Sequence, residues 1–316
     1  MPPATALPRL PWLKPWYRLA QTADGVLLEH GRATVCFGGA AAKTLLPRML
    51  PLLDGERTVD EIVQTVGRAA RPAVENALTL LARHGVLTDG PPLEAGSSGL
   101  ERTAAYLAQS SPDPPHLIFD RLESARVLVE GDRQLAVAVE RLLRRCGVAR
   151  SRTPDDATFV ATAVELAGDP RLDGRNEAAL AEGAVWLPVG AFDGRAATVG
   201  PLIVPRESAC YRCSVLRRDA SAACATELRS LRPVPLSATG APLLAALVAA
   251  IAAERILRWI GFEDPGLPGS VVTVEITPAL SVTNEVVLRV PRCPACSGLD
   301  ETGQPVPWHE LAWGNT

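Results

Sequence analysis

Lysine is nearly missing from this 316-residue sequence: Lys14 and Lys43 are the only two, and every other basic residue is arginine. Beyond Lys43 no lysine is at hand to neutralise a β- or γ-phosphate, and the forked guanidinium of arginine replaces that point charge only in part. An excess of either charge sign is lacking too. With 32 basic and 35 acidic residues the net charge is -3, which removes the electrostatic ground for general nucleic-acid binding. A membrane-spanning run of ~20 apolar residues is absent. The most apolar stretch, Ala238 to Ala253, contains Gly240 and Pro242, meets Glu254-Arg255 and reads as a buried helix. Met1 to Leu13 is broken by Pro2, Pro3, Pro8 and Pro11 and has no apolar core of signal-peptide length. The cytoplasm is the expected compartment, with no membrane partner.

What is present describes a soluble α/β chain. Apolar residues make up 47% and charged residues 21%, as in ordinary globular domains, and at roughly 100–200 residues per domain the length fits two. The segment Asp89 to Gly99 is rich in Gly, Pro and Ser and has no hydrophobic period, which is linker composition. Domains are therefore expected over 1–89 and 100–316, joined by 90–99. In the first, Trp16–Leu19, Val26–Glu29 and Ala33–Phe37 read as short strands, with His30-Gly31 as a hairpin turn. Helical spacing follows from Ala42 through Leu53. Thr58 with Glu61 forms a capping box for a second helix, and a third, from Pro72, carries Val74, Ala77, Leu78 and Leu81 to His84-Gly85. Three short strands and three helices predict a winged-helix-like module.

The second part alternates. Arg126–Glu130, Thr158–Ala161 and Ala184–Val189 read as strands, Gln134–Cys146 and Asn176–Glu182 as helices. That order predicts a doubly wound, mostly parallel sheet, finished by an antiparallel pair, Val271–Ile276 and Val286–Val290.

The strongest chemical signal is Cys210-Tyr-Arg-Cys213 together with Cys293-Pro-Ala-Cys296. Two Cys-x-x-Cys turns supply the closed tetrahedral sulfur shell of a structural zinc, with no position left for a reactive water. The pairs lie much farther apart than in a zinc finger, so one ion would clip two distant loops together. Either pair alone would also suit thiol–disulfide chemistry. Of the other cysteines, Cys146 reads as a small core residue and Cys36 as a strand residue, while Cys224 has no histidine nearby in sequence to activate it. After the first strand of the second part, Glu130-Gly131-Asp132-Arg133 offers one glycine where a phosphate loop needs two or three, and adds a carboxylate. No ATP is expected there.

Residues 100–316 resemble the adenylating fold shared by ThiF, MoeB and the ubiquitin-activating enzymes. The likeness rests on the first strand–helix unit, Glu177 to Val189, the two cysteine pairs and the long apolar helix. That family holds a structural zinc with such pairs, and its members often form homodimers through this domain. The glycine loop and lysine of the family are missing. The N-terminal part resembles the PqqD-like recognition element of ribosomal-peptide pathways, a winged-helix fold, through Gly25–Gly31, Phe37-Gly-Gly39, Leu45-Leu-Pro47 and Leu52–Gly55. The fusion resembles the Ocin-ThiF-like leader-binding proteins of thiopeptide and other thiazole/oxazole-modified peptide clusters.

The resemblance implies a protein that binds the leader of a precursor peptide and presents it to a YcaO-type cyclodehydratase while doing no chemistry itself. It places the leader against the third strand and third helix, here Ala33, Thr34, Val35, Cys36 and Phe37 with Arg71, Val74, Glu75, Leu78 and Arg83. Val74 and Leu78 equally suit a plain core role. Two alternatives stand beside this reading: an active adenylating or sulfur-transfer enzyme, against which the Gly131-Asp132-Arg133 loop argues, and a winged-helix regulator, for which residues 1–90 lack a basic recognition helix. The tail Glu301–Thr316, with Trp308 and Trp313, is expected either to dock the cyclodehydratase or to pack back on the zinc end.

Overall fold

Turn and cap chemistry sets the first elements. In the computed structural model, which describes residues 7–93, 98–165, 169–190, 192, 195–222, 224 and 242–297, Gly31 has φ of 60° and closes the turn between β3 (Gly25–His30) and β4 (Ala33–Gly38). With β2 (Arg18–Thr22) these make an antiparallel sheet in the order β2-β3-β4, and β1 (Pro11–Leu13) pairs with β5 (Leu87–Asp89). Thr58 accepts the Glu61 N–H while the Glu61 carboxylate accepts the Thr58 N–H, the reciprocal cap expected from sequence, and starts α3 (Val59–Val66). α4 spans Arg71–Arg83, and its Val74, Leu78 and Leu81 are buried with Val26, Leu28, Met49 and Ile62.

The single helix expected through Ala42–Leu53 is broken into α1 (Ala40–Thr44), α2 (Leu46–Met49) and a 3-10 turn over Leu50–Leu52. Pro47 and Pro51 explain the breaks: neither can give an N–H to the carbonyl four residues back, so each sits in the first turn of a new element.

Contacts divide the chain into two units, Met1–Glu123 and Ser124–Thr316. The stretch expected as a linker thus falls within the range of the first unit, which also takes in α5 (Gly99–Ala108) and most of α6 (Pro115–Ser124). Neither helix was expected.

The second unit is a seven-stranded α/β sheet in the order β12-β11-β10-β9-β8-β6-β7. β6 (Arg126–Gly131), β7 (Ala149–Arg150), β8 (Phe159–Val164) and β9 (Trp186–Gly190) are parallel; β10 (Ala196–Val199), β11 (Ser270–Glu275) and β12 (Ser281–Val286) add antiparallel. All six residues of β8 are buried, as in a strand covered on both faces. The crossovers are α7 (Arg133–Arg145), amphipathic as its sequence requires, α8 (Pro170–Glu182), α9 (Tyr211–Ser221) and α10 (Pro242–Phe262). Arg255 of α10 is buried and donates to the Ser270 carbonyl at 2.7 Å, tying the helix to β11. No helix among the described residues is long and apolar enough to cross a membrane.

One expected strand, Val286–Val290, is displaced. β12 begins at Ser281, directly after the turn at Thr277-Pro278, and ends at Val286. Beyond it the backbone turns to the cysteines, and the Val290 N–H goes to the Cys213 sulfur at 3.3 Å instead of to a strand.

Gly131 ends β6 with φ of 105°, and a Cβ there would lie 2.0 Å from the Ala163 carbonyl oxygen. Gly131→Ala is expected to cost on the order of 2–3 kcal/mol through backbone strain and the clash, read as a lower midpoint in urea unfolding with an unchanged m-value.

Candidate functional site

In the first unit, β4 is an edge strand, paired with β3 alone among the described residues. The Gly39 N–H bonds the Asp24 carbonyl at 3.2 Å, so by strand alternation Thr34, Cys36 and Gly38 direct their N–H and C=O groups away from β3. Beside this edge lies a cavity of about 270 Å³, lined by Cys36, Phe37, Gly38, Ala41, Ala42, Leu45 and Leu46 with Ala73, Asn76, Ala77, Leu80, Leu81 and His84 of α4. His84 meets the Phe37 ring edge-on at 5.4 Å, and Leu80 is 42% exposed.

Of the residues expected to touch a peptide, Ala33, Thr34 and Cys36 are exposed and Val35 is half-buried on the edge strand. Phe37 is buried yet lines the groove. Val74 and Leu78 are both at 0% exposure inside the core, the plain alternative weighed for them. Arg71 pairs with Asp60 at 2.6 Å and with Glu75 at 3.1 Å, and Arg83 is exposed. The α4 face that lines the groove is instead Ala73, Asn76, Ala77, Leu80 and His84. Its signal was in the sequence: a stripe at i, i+3, i+4, i+7 one position before the core stripe.

In the second unit the four expected cysteines converge. Cys210 caps α9 and Cys213 sits in its first turn, while Cys293 and Cys296 lie in the turn after Val290. The Sγ–Sγ distances are 3.7 Å for Cys210–Cys213, 3.7 Å for Cys210–Cys293 and 3.5 Å for Cys213–Cys296, and all four sulfurs lie within 4.8 Å of one another. Four sulfurs at about 2.3 Å from one tetrahedral ion stand roughly 3.8 Å apart, so the cluster has the size of a metal shell.

Local bonds hold it. Arg217 donates to the carbonyls of Leu288 at 2.6 Å and Arg289 at 3.0 Å, and Arg289 donates to the carbonyls of Arg206 and Cys296. The Tyr211 N–H bonds the buried Asn176 side chain at 2.9 Å, fixing α9 to α8. The Cys210 hydrogen bond, helped by the Val290 N–H, lowers the Cys213 thiol to about 4, whereas burial above all pushes Cys296 up to about 11. Donating to Cys213, together with burial, raises Cys210.

The tip of β6 is acidic and self-paired. Asp132 accepts from Arg171 at 2.8 Å and from the Glu165 N–H at 2.6 Å, and Arg171 also grips Asp169 at 2.6 Å. The Arg171 hydrogen bond lowers the Asp169 carboxyl below its usual range. Of the remaining cysteines, Cys146 is half-buried and Cys224 exposed. The tail Glu301–Thr316, with Trp308 and Trp313, lies outside the described residues.

No family model matches this sequence, and no curated protein matches it. Solved structures do. A heterocyclase in complex with substrate and cofactor is 22% identical with a TM-score of 0.71, over 91% of this chain and 39% of that one. The heterocyclase TruD is 23% identical with a TM-score of 0.69, over 92% and 43%. E. coli MccB with ATP is 14% identical with a TM-score of 0.65, over 91% and 99%. These likenesses show a shared fold. The chain spans well under half of the heterocyclase chains and nearly all of MccB. They also correct the expectation of a protein that does no chemistry itself: among the structures that share this fold are heterocyclases, one holding substrate and cofactor, and MccB solved with ATP.

Purified chain is expected to carry one metal ion per molecule by elemental mass spectrometry. Cys293→Ser should lose it and destabilise the protein by on the order of 3 kcal/mol, roughly 6–12 °C in Tm.

Proposed function

We propose that this chain is the precursor-peptide-recognising part of a heterocyclase, the enzyme that closes azoline rings on a ribosomally made peptide. The observation that carries the reading is the apolar groove along the open edge of β4. A leader segment added as a fourth strand would take its affinity from the outward N–H and C=O groups of Thr34, Cys36 and Gly38. Its selectivity would come from a side chain placed among Cys36, Ala41, Ala77 and Leu80. The N-terminal unit then serves as a PqqD-like recognition element with a winged-helix arrangement, and Arg71, Glu75 and Arg83 flank the bound strand.

Its partner is a YcaO-type cyclodehydratase, to which this part presents the bound leader. The cysteine cluster holds zinc as a structural ion, since four thiolates select a soft, tetrahedral metal and leave it no open position. The tip of β6 presents Asp132, held by Arg171 and the Glu165 N–H, rather than a glycine cradle.

The test is fluorescence polarisation of the full chain with the labelled leader of the precursor encoded beside it. Saturable binding is expected, equal with and without ATP. Thr34→Pro removes one outward N–H without touching the β3–β4 ladder, and should weaken binding about tenfold, the worth of one hydrogen bond, with Tm nearly unchanged. Unaltered affinity in that variant, or no saturable binding, contradicts the reading; leader affinity that depends on ATP returns the adenylating alternative.

A further inference from the structure

The groove beside β4 is roomier than one aliphatic side chain needs. It holds about 270 Å³, whereas an apolar cavity of roughly 150 Å³ already takes a benzene ring. The room exists because its walls carry alanines, Ala41 and Ala42 on α1 and Ala73 and Ala77 on α4. A valine or leucine placed there leaves wall atoms without neighbours, and each such gap forfeits dispersion.

Two rings already line the space. Phe37 and His84 meet at 5.4 Å with their planes at 89°, the edge-to-face geometry that aromatic groups prefer and that a third ring extends.

Strand pairing decides which peptide residue enters. Val35 and Phe37 turn their N–H and C=O groups toward β3. In an antiparallel added strand, the residues opposite them therefore form the close, non-hydrogen-bonded pairs and share their face of the sheet. Phe37 lines the groove and Val35 packs against the core. The peptide residue opposite Phe37 thus points into the groove, and the one opposite Val35 lies two positions along on the same face. The residue between them, opposite Cys36, points to the other face, with exposed Thr34 and Cys36.

Building on the peptide-binding reading of this groove, we infer that it selects an aromatic side chain at the position opposite Phe37, and that the small size of Ala77 sets the preference. The recognised class is an extended segment with an aromatic and an apolar residue two apart, separated by a solvent-facing position.

The test is fluorescence polarisation of the full chain with the labelled leader of the precursor encoded beside it, each aromatic residue of that leader changed in turn to leucine. One position is expected at which leucine weakens binding about tenfold, the worth of a poorly filled apolar pocket. Lysine should be tolerated at the positions directly before and after it. Ala77→Leu fills the groove, so it should weaken the parent leader about tenfold and close the gap between the parent and leucine-bearing leaders. Ala41→Leu, filling the same space from α1, should do likewise, and serves where Ala77→Leu lowers Tm. Thr34→Pro separates the two levels of the account. If it weakens binding while no aromatic position responds to leucine, or the leader has no aromatic residue, strand addition stands and the aromatic preference is overturned. A gap that persists in both alanine variants places the aromatic residue outside the groove and overturns the preference too. If Thr34→Pro leaves affinity unchanged, the peptide-binding reading itself falls and takes the preference with it.

Discussion

Four sulfurs gathered within 4.8 Å of one another are the constraint on which the second unit depends. Thiols in that number, three of them buried, are poor core on their own: they bring little apolar area and titrate against one another. A cation bound there would turn that liability into a clip. It would join the start of α9 to the last described turn, and the chain between them carries α10, β11 and β12. The arginine bonds from Arg217 and Arg289 to carbonyls act on the same closure. They give the cysteine turns a fixed backbone before any metal arrives.

Each unit leaves one strand edge whose environment differs from a plain solvent edge. At β4 the open backbone runs beside an apolar groove walled by a helix, a form suited to a short peptide that brings its own side chain. At β12 the backbone, paired on one side among the described residues, carries exposed apolar side chains. Edge strands are ordinarily blunted by charge, proline or bulges. Within β4 there is no charged residue, and within β12 only Glu285.

Local signals were legible in the sequence. The Thr58–Glu61 box, the Gly31 turn and both cysteine pairs rest on chemistry within a few residues and appear where expected. Pattern without side-chain detail was less reliable. The apolar period through Ala42–Leu53 outweighed Pro47 and Pro51 in the reading, yet the prolines decide the backbone. The valines after Ser281 looked like a strand at Val286–Val290. Periodicity gives a face, not what covers it, and among the described residues this one is exposed. Val74 and Leu78 belong to the core stripe of α4, whereas the groove takes the neighbouring stripe of small residues, which carries no hydrophobic signal of its own. The cysteine turn at 210 read as loop, because Cys-x-x-Cys does not itself announce that Cys210 caps a helix. Whether the chain belongs to an enzyme was not legible at all. The missing glycines and lysines argued against catalysis, an expectation corrected by the heterocyclase and MccB structures that share the fold.

The central claim is that a peptide strand completes the edge of β4. Amide hydrogen exchange of the full chain, with and without the leader of the precursor encoded beside it, tests this most directly. The account expects slowed exchange at the outward amides of Thr34, Cys36 and Gly38 and along the α4 face around Ala77. Exchange unchanged at β4, with protection appearing at the β6 tip or along β10 to β12, would contradict it.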